Sequence, residues 1–323
     1  MIWTIICFLI SLFVLKRYAF GPIQTMIDTR REQIRRSLEE AEHAREEARR
    51  VLEEHKKLIG QARSEAEQIL AEARRTGEAM VNIVATTPDV EALGPVAERL
   101  AARVPATASV VLNVNAKKAS VAVGTEEHLL LGRDHIRESL GGLTFQVSAN
   151  SFFQTNTVQA ERLFGVVEQA CVLAGGETVL DLYSGTGAIS LLLARRCRWV
   201  YGIEVAAAAV ADAARNARAN GIENCTFLEG EVRHVLPTLV RDGVRAEVVV
   251  ADPPRAGFHP KALQALAALA PARLVYVSCN PATLARDLGE LVRAGYRLEW
   301  VHPVDMFPQT PHIEAVARLR RAS

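Results

Sequence analysis

The chain has no C-x-x-C pair: its five cysteines, Cys7, Cys171, Cys197, Cys225 and Cys279, are scattered along 323 residues. That spacing argues against a zinc ribbon, a cysteine-ligated iron–sulfur cluster or a disulfide framework, and it implies a reducing compartment. No metal site is expected. A charge excess is also missing. The 38 Lys and Arg nearly cancel the 37 Asp and Glu, so net charge does not announce a nucleic-acid binder. No Gly-, Ser- or Pro-rich linker separates the first 75 residues from the remainder, although the two parts differ sharply in composition. Finally, no third glycine follows Gly185-Thr-Gly187, because position 190 is Ser; the dinucleotide fingerprint G-x-G-x-x-G is therefore not met.

What is present begins with an apolar run. Ile2–Leu15 is interrupted only by Thr4 and Ser11, and Tyr18-Ala-Phe20 extends it past Lys16-Arg17. Residues 1–21 thus approach the ~20 residues of a spanning helix, with no basic leader or cleavage site of a signal peptide. Lys16 and Arg17 at one edge place the rest of the chain on the cytoplasmic side of an inner (plasma) membrane. After Pro22, Asp28–Arg75 reads as one long charged helix. Its apolar positions recur at an offset of eleven (Ile23/Ile34, Ile27/Leu38, Ala48/Ile59, Ile59/Leu70), the period of a right-handed supercoil with a partner helix. The span, Lys16–Ile23 and Arg30-Arg-Glu-Gln-Ile34 closely resemble the b subunit of F-type ATP synthase. That resemblance implies a peripheral-stalk segment over 22–75, dimeric or paired with other ATP synthase subunits, with no active site. The linker-free junction near Arg74–Gly77 also admits an artificial join of two reading frames.

Residues 76–150 read as a partial α+β domain. Strands are expected at Val81–Thr86, Val110–Asn115, Ser120–Gly124, His128–Gly132 and Leu143–Ala149, with a helix at Val90–Arg103. Lys117-Lys118 reads as a solvated turn.

Residues 151–323 carry the chemistry. Val179-Leu-Asp-Leu182 is an apolar run ending near an acid, then comes the Gly185-Thr-Gly187 turn and an apolar helix start at Ala188–Ala194. Glycines there let the backbone approach a ligand at the carboxyl end of a parallel strand. The next strand, Trp199–Glu204, ends in an acid placed to accept hydrogen bonds from a ribose diol. Together Asp181–Gly187 and Glu204 look like the S-adenosylmethionine site of class I methyltransferases. Alternation continues through a helix at Val205–Asn220, strands at Cys225–Glu229, Glu247–Asp252 and Leu274–Cys279, a helix at Pro281–Ala294 and a closing pair at Tyr296–Pro303 and Ile313–Leu319. This is a doubly wound, Rossmann-like α/β pattern. Ala251-Asp-Pro-Pro-Arg255 ends one strand and Ser278-Cys-Asn-Pro281 the next. Cys279 lies just before a helix N-terminus, which favours the thiolate.

With Asn150–Asn156 and Phe307–Glu314, these motifs resemble the RNA uracil-5 methyltransferases, the nearer relatives acting on ribosomal RNA and the transfer-RNA enzymes next. The resemblance runs from about Thr76 to the C-terminus and implies roles residue by residue. Cys279 is the nucleophile that adds to uracil C6, Glu314 the base that removes the C5 proton, and Asp252 orients uracil or methyl donor. Gln154, Tyr183, Gly185, Glu204 and Asp252 correspond to cofactor contacts. Phe152 or Phe153 stacks on an extruded base, and Arg255 lies on the substrate side. The family's N-terminal OB-like RNA-binding domain and iron–sulfur cysteines have no counterpart here, so S-adenosylmethionine is the only cofactor expected.

Overall fold

The computed structural model describes residues 77–115, 124, 126–310 and 312–322, with isolated positions between 3 and 53. The expected span at 1–21, most of the charged helix at 22–75, the expected strand over 120–123 and Lys117-Lys118 lie outside the described residues. Among those described, no helix is long and apolar enough to cross a membrane. The chain divides into two units, residues 1–69 and 70–323, and every element below belongs to the second.

β1 (Ala79–Ala85) and β2 (Thr107–Val114) pair in parallel across helix α1 (Val90–Arg103), and β3 (Glu126–Gly132) adds antiparallel to β2. A separate hairpin follows, β4 (His135–Leu140) with β5 (Leu143–Ser148). After α2 (Thr157–Cys171) come β6 (Thr178–Leu182), α3 (Ala188–Ala194), β7 (Trp199–Glu204), α4 (Ala207–Ala219) and β8 (Cys225–Glu229). The second half continues with α5 (Val232–Arg241), β9 (Val248–Ala251), α6 (Pro260–Leu269), β10 (Arg273–Ser278), α7 (Pro281–Arg293), β11 (Tyr296–Val304) and β12 (Glu314–Arg321). The sequence reading omits β4, α2, α5 and α6.

Seven strands form one sheet in the order β11-β12-β10-β9-β6-β7-β8, with β12 antiparallel to both neighbours and the other pairings parallel. The chain winds one way from β6 to β8 and the other way from β9, so the strand order reverses between β6 and β9. A crevice opens at the carboxyl ends of strands at such a reversal. The alternation of β-strand side chains divides the core. Val248 and Val250 face α2, α3 and the hairpin, while Val249 and Ala251 face α5, α6 and α7. Each fully buried side chain of Leu or Val size contributes roughly 1.5–3 kcal/mol, before the cost of ordering the chain.

The hairpin is held by polar side chains of α4 and of Asn220, its C-cap. Asn220 accepts from Thr144 N (3.0 Å) and donates to its carbonyl (2.8 Å), and Asn216 does the same for Gln146 (2.7 and 3.2 Å). One oxygen of Asp212 accepts from Ser148 N, Ser148 Oγ and Ser151 Oγ at 2.7–2.9 Å. The spacing explains the match. Four helical residues rise about 6 Å and two strand residues about 6.7 Å, so side chains at every fourth position of α4 meet every second residue of β5. Asp212 and Asn216 are fully buried. Asn216→Ala would leave the Gln146 amide and carbonyl without partners. The expected loss is about 2–3 kcal/mol, read as a lower urea midpoint at unchanged slope; an unaltered midpoint would mean that the ladder bears no load.

Candidate active site

The turn after β6 is built from backbone outside the usual regions. Tyr183 has φ +70° and Gly185 φ +52°, and the amides of Tyr183 and Ser184 both donate to the Ile203 carbonyl of β7 (2.9 and 3.0 Å). A side chain at Gly185 would meet nothing within 4 Å, so the space over this turn is open. Glu204, at the tip of β7, accepts from Gly185 N (3.0 Å), Val205 N (2.8 Å) and Ala206 N (2.9 Å). These amides fix its carboxylate beside the turn while leaving acceptor capacity for a hydroxyl. Behind the turn, Ser190 Oγ donates to the buried Asp181 at 2.6 Å. Burial lifts that acid to about 6, against the Ser190 hydrogen bond. Among the described residues, Asp181 Oδ1 and Ser184 Oγ are buried without partners, polar atoms that a ligand at this turn can satisfy. Phe152, Phe153, Gln154, Tyr183, Gly185 and Asp252 line one cleft over the turn, so six of the sequence-predicted residues share it. The two phenylalanines differ. Phe153 packs on Phe145 with ring centroids 5.5 Å apart, whereas Phe152 is 72% exposed and its ring is free.

Cys279 and Glu314 do not line that cleft; the sheet places them in a row beside it. Val275 pairs with Val250 and Tyr276 with Ala251, so Asp252 and Cys279 both follow the carboxyl ends of adjacent strands. Ser278 pairs with Ala315 in the antiparallel β10–β12 register, which brings Cys279 against Glu314, the first residue of β12. Burial lifts Glu314 to about 7, with Arg255 opposing. Asp252 is pushed up to about 8, first by burial and then by the charges of Glu314 and Asp181. The Cys279 thiol is also raised, by burial first and then by Glu314, while Arg255 pulls the other way. That direction runs opposite to the pull of the helix N-terminus toward the thiolate. Asn280, not Cys279, caps α7, its Oδ1 accepting from Ala282 N at 3.1 Å. Burial and two neighbouring carboxyls both favour the neutral thiol.

The loop carrying Arg255 is fastened to α7. Asn280 Nδ2 and Thr283 Oγ1 donate to the Arg255 carbonyl (3.3 and 3.2 Å), and Arg286 donates to the Ala256 carbonyl (2.8 Å). Fully buried Asp287 accepts from Phe258 N and from Tyr276 OH, both at 2.8 Å. Gly257, at φ +75°, is required there, since a Cβ would lie 2.4 Å from Asp287 Oδ2. Sequence reasoning passed over Asp287, Tyr276, Asn280 and Asp212. A signal existed for the acids: Asp287 falls next to Leu284, Leu288 and Leu291 on an otherwise apolar helix face, where an acid needs buried donors.

A model of the tRNA (uracil-5-)-methyltransferase family matches residues 106–322, and a model of ATP synthase B/B′ CF(0) matches residues 1–123. An uncharacterized RNA methyltransferase of Chlorobaculum tepidum is 45% identical over 257 residues, 79% of this chain and 53% of that protein. Another, from Caldanaerobacter subterraneus, is 43% identical over 249 residues, 77% of this chain and 55% of that protein. The chain thus spans about half the length of the curated relatives it matches. Among solved structures, the Pyrococcus abyssi tRNA (uracil-54, C5)-methyltransferase in complex with S-adenosyl-L-homocysteine superposes with a TM-score of 0.60. It is 35% identical, over 76% of this chain and 57% of that one. The seven-stranded sheet is the fold of S-adenosylmethionine-dependent methyltransferases.

The raised acid of Glu314 carries a stability consequence. Its folded value near 7 exceeds the ordinary 4.5, so its favourable contribution is complete below 4.5 and is lost as pH rises through 7. Glu314→Gln cannot ionise. Its melting temperature relative to the parent should therefore be higher at pH 8 than at pH 4.5, and the same difference at both pH values would contradict the assignment.

Proposed function

The chain belongs to the tRNA (uracil-5-)-methyltransferase family, and we propose that it transfers a methyl group from S-adenosylmethionine to C5 of a uracil in RNA through a covalent Cys279 adduct. The observation that carries this reading is the β10–β12 register, which sets a thiol and a carboxyl against each other at the same end of the sheet as the open Gly185 turn. C5 of uracil is a weak nucleophile and bears a hydrogen, so both groups have work to do. The Cys279 thiolate adds to C6, forming the S–C6 bond and moving the C5=C6 pair into an enolate. Bound S-adenosylmethionine would supply an electrophilic methyl group: as C5 takes it, the methyl–sulfur bond breaks and S-adenosylhomocysteine leaves as a neutral thioether. Glu314 then takes the C5 proton, the C5=C6 bond re-forms, the S–C6 bond breaks and the thiolate is regenerated. Of the groups that shift the Cys279 thiol, Arg255 is the cation, and it draws the thiolate form.

The remaining residues bind and orient. Glu204 holds the ribose hydroxyls, Gln154, Tyr183 and Gly185 line the cofactor's cleft, and Asp252 orients the reacting groups at its end. Exposed Phe152, rather than core-packed Phe153, stacks on the base brought out of the RNA. We place ribosomal RNA ahead of transfer RNA as substrate. The domain limits we propose are an anchor at 1–21, a stalk-like helix at 22–75, a partial domain at 76–150 and the methyltransferase domain at 151–323, facing the cytoplasm. The match of residues 1–123 to ATP synthase B/B′ favours a second reading for the N-terminal part, in which it pairs with a second copy or with ATP synthase subunits and carries the enzyme as a passenger. Absence of such complexes from solubilised membranes would count against it.

The deciding measurement is tritium release from 5-tritiated uracil in unmodified ribosomal and transfer RNA, with added S-adenosylmethionine. The parent chain should release tritium, from ribosomal RNA foremost. Cys279→Ala should lose release by at least about 10³-fold while still binding S-adenosyl-L-homocysteine. Sustained turnover by that variant would sink the covalent mechanism.

A further inference from the structure

At the opposite end of the same strands lies a groove that the reaction does not use. It measures about 660 Å³ and is lined by Ala270, Ala272, Arg297, Arg320, Arg321 and Ala322. We infer that this groove binds the phosphodiester backbone of the RNA, remote from the uracil being modified; the inference rests on the reading that RNA is the substrate.

Register is the first argument. Arg320 of β12 pairs with Arg297 of β11 on one side and with Arg273 of β10 on the other. Directly paired residues project to the same face of a sheet, so three guanidinium side chains leave one face in a single row. Like charges set opposite each other are destabilising, and such a row is not a solution that folding alone favours.

The accounting of acids is the second. Glu177 serves Arg273 at 3.1 Å. Glu299 is shared, lying 2.8 Å from Arg318 and 3.8 Å from Arg297. Arg321 donates to the Ala270 carbonyl at 3.0 Å, a contact that leaves its charge uncompensated. Arg320 is exposed and has no ion pair among the described residues. Among the described residues, five arginines therefore face two carboxylates, and no acidic side chain lines the groove.

The lining also indicates the class of ligand. Among the described residues, apart from arginine it offers only alanine, with no aromatic ring to stack a base and no side-chain amide or carboxylate to read one. Such a surface recognises repeated phosphates through bidentate guanidinium contacts, without sequence preference. Nor does the lining carry the large apolar anchors of a membrane-surface site. Arg273 opens β10 and Cys279 follows its last residue, six positions on and roughly 20 Å away, so a folded RNA domain, not an isolated loop, reaches both ends.

The test is the double variant Arg297→Ala/Arg320→Ala in the full chain. Its binding to an unmodified ribosomal RNA domain is measured between 50 and 200 mM KCl, alongside tritium release. If the groove contacts phosphate, log Kd against log salt becomes shallower by about 2, one unit per lost contact. KM for the RNA domain rises with kcat unchanged, whereas a short uracil-containing hairpin and S-adenosyl-L-homocysteine bind as before. An unchanged slope and affinity for the RNA domain would overturn the inference. So would unchanged RNA binding together with lost adhesion to phosphatidylglycerol vesicles. A parent chain that binds RNA with this salt dependence but releases no tritium would instead sink the reaction reading and leave the groove standing.

Discussion

The polar ladder between α4 and β5 is the constraint on which the site's assembly depends. A β-hairpin alone is marginal in water, and among the described residues one edge of β5 has no strand beside it. Asn220, Asn216 and Asp212 stand in for that strand, satisfying amides and carbonyls at two-residue intervals from positions four apart on a helix. The consequences spread both ways along the chain. Asp212 also binds Ser151, and so sets where the backbone emerges into Phe152, Phe153 and Gln154. Asn216 reaches the Thr186 carbonyl at 3.2 Å, and so ties the ladder to the Gly185 turn. One helix face thereby fixes two walls of the cleft relative to each other. Leu140, Leu143, Phe145 and Val147 enter the core of the main sheet by the same docking, which makes the hairpin part of that body's packing.

The strand-end row shows what burial does to neighbouring acids. Asp252, Glu314 and the Cys279 thiol are all pushed toward their protonated forms, and Arg255 is the cation opposing this for Cys279 and Glu314. Positive charge entering such a site would push all three groups back toward their ionised forms. The fastening of the Arg255 loop matters for the same reason. Arg255 acts from an exposed position, and its backbone is held by Asn280, Thr283 and, through Phe258, by Asp287. A guanidinium on a loose loop would be screened and would leave the thiol higher still.

Much of this was readable in advance, for a reason that separates local from non-local information. The apolar strand, the glycine turn and the acid at the next strand tip lie within Val179–Glu204, and short-range pattern suffices for them. Helix α2 is equally legible, with Asn156 capping Gln159 N and apolar residues at 160, 163, 164, 167 and 171. The ladder was not readable, because Gln146 and Asn216 are 70 residues apart and neither looks unusual alone. Nor was the direction of the Cys279 shift. A helix N-terminus is visible in sequence, but the depth of burial and the proximity of Glu314 are products of register.

Register is also where the two ends of the sheet meet in one argument. A one-residue slip of β12 would turn Glu314 to the other face and, with it, every side chain along the strand. The residues that resist the slip are Val316, Ala317 and Leu319, which are fully buried against two different cores and cannot exchange faces. The same lock holds Arg318 and Arg320 on the face of Val316. Glu314 beside Cys279 and Arg320 between Arg297 and Arg273 are thus consequences of a single packing decision. Nothing in that decision demands arginine at position 320, since an exposed strand end accepts many residues at no cost. The cross-strand row of like charge therefore asks for a reason outside the fold, and a polyanion lying along this edge supplies one.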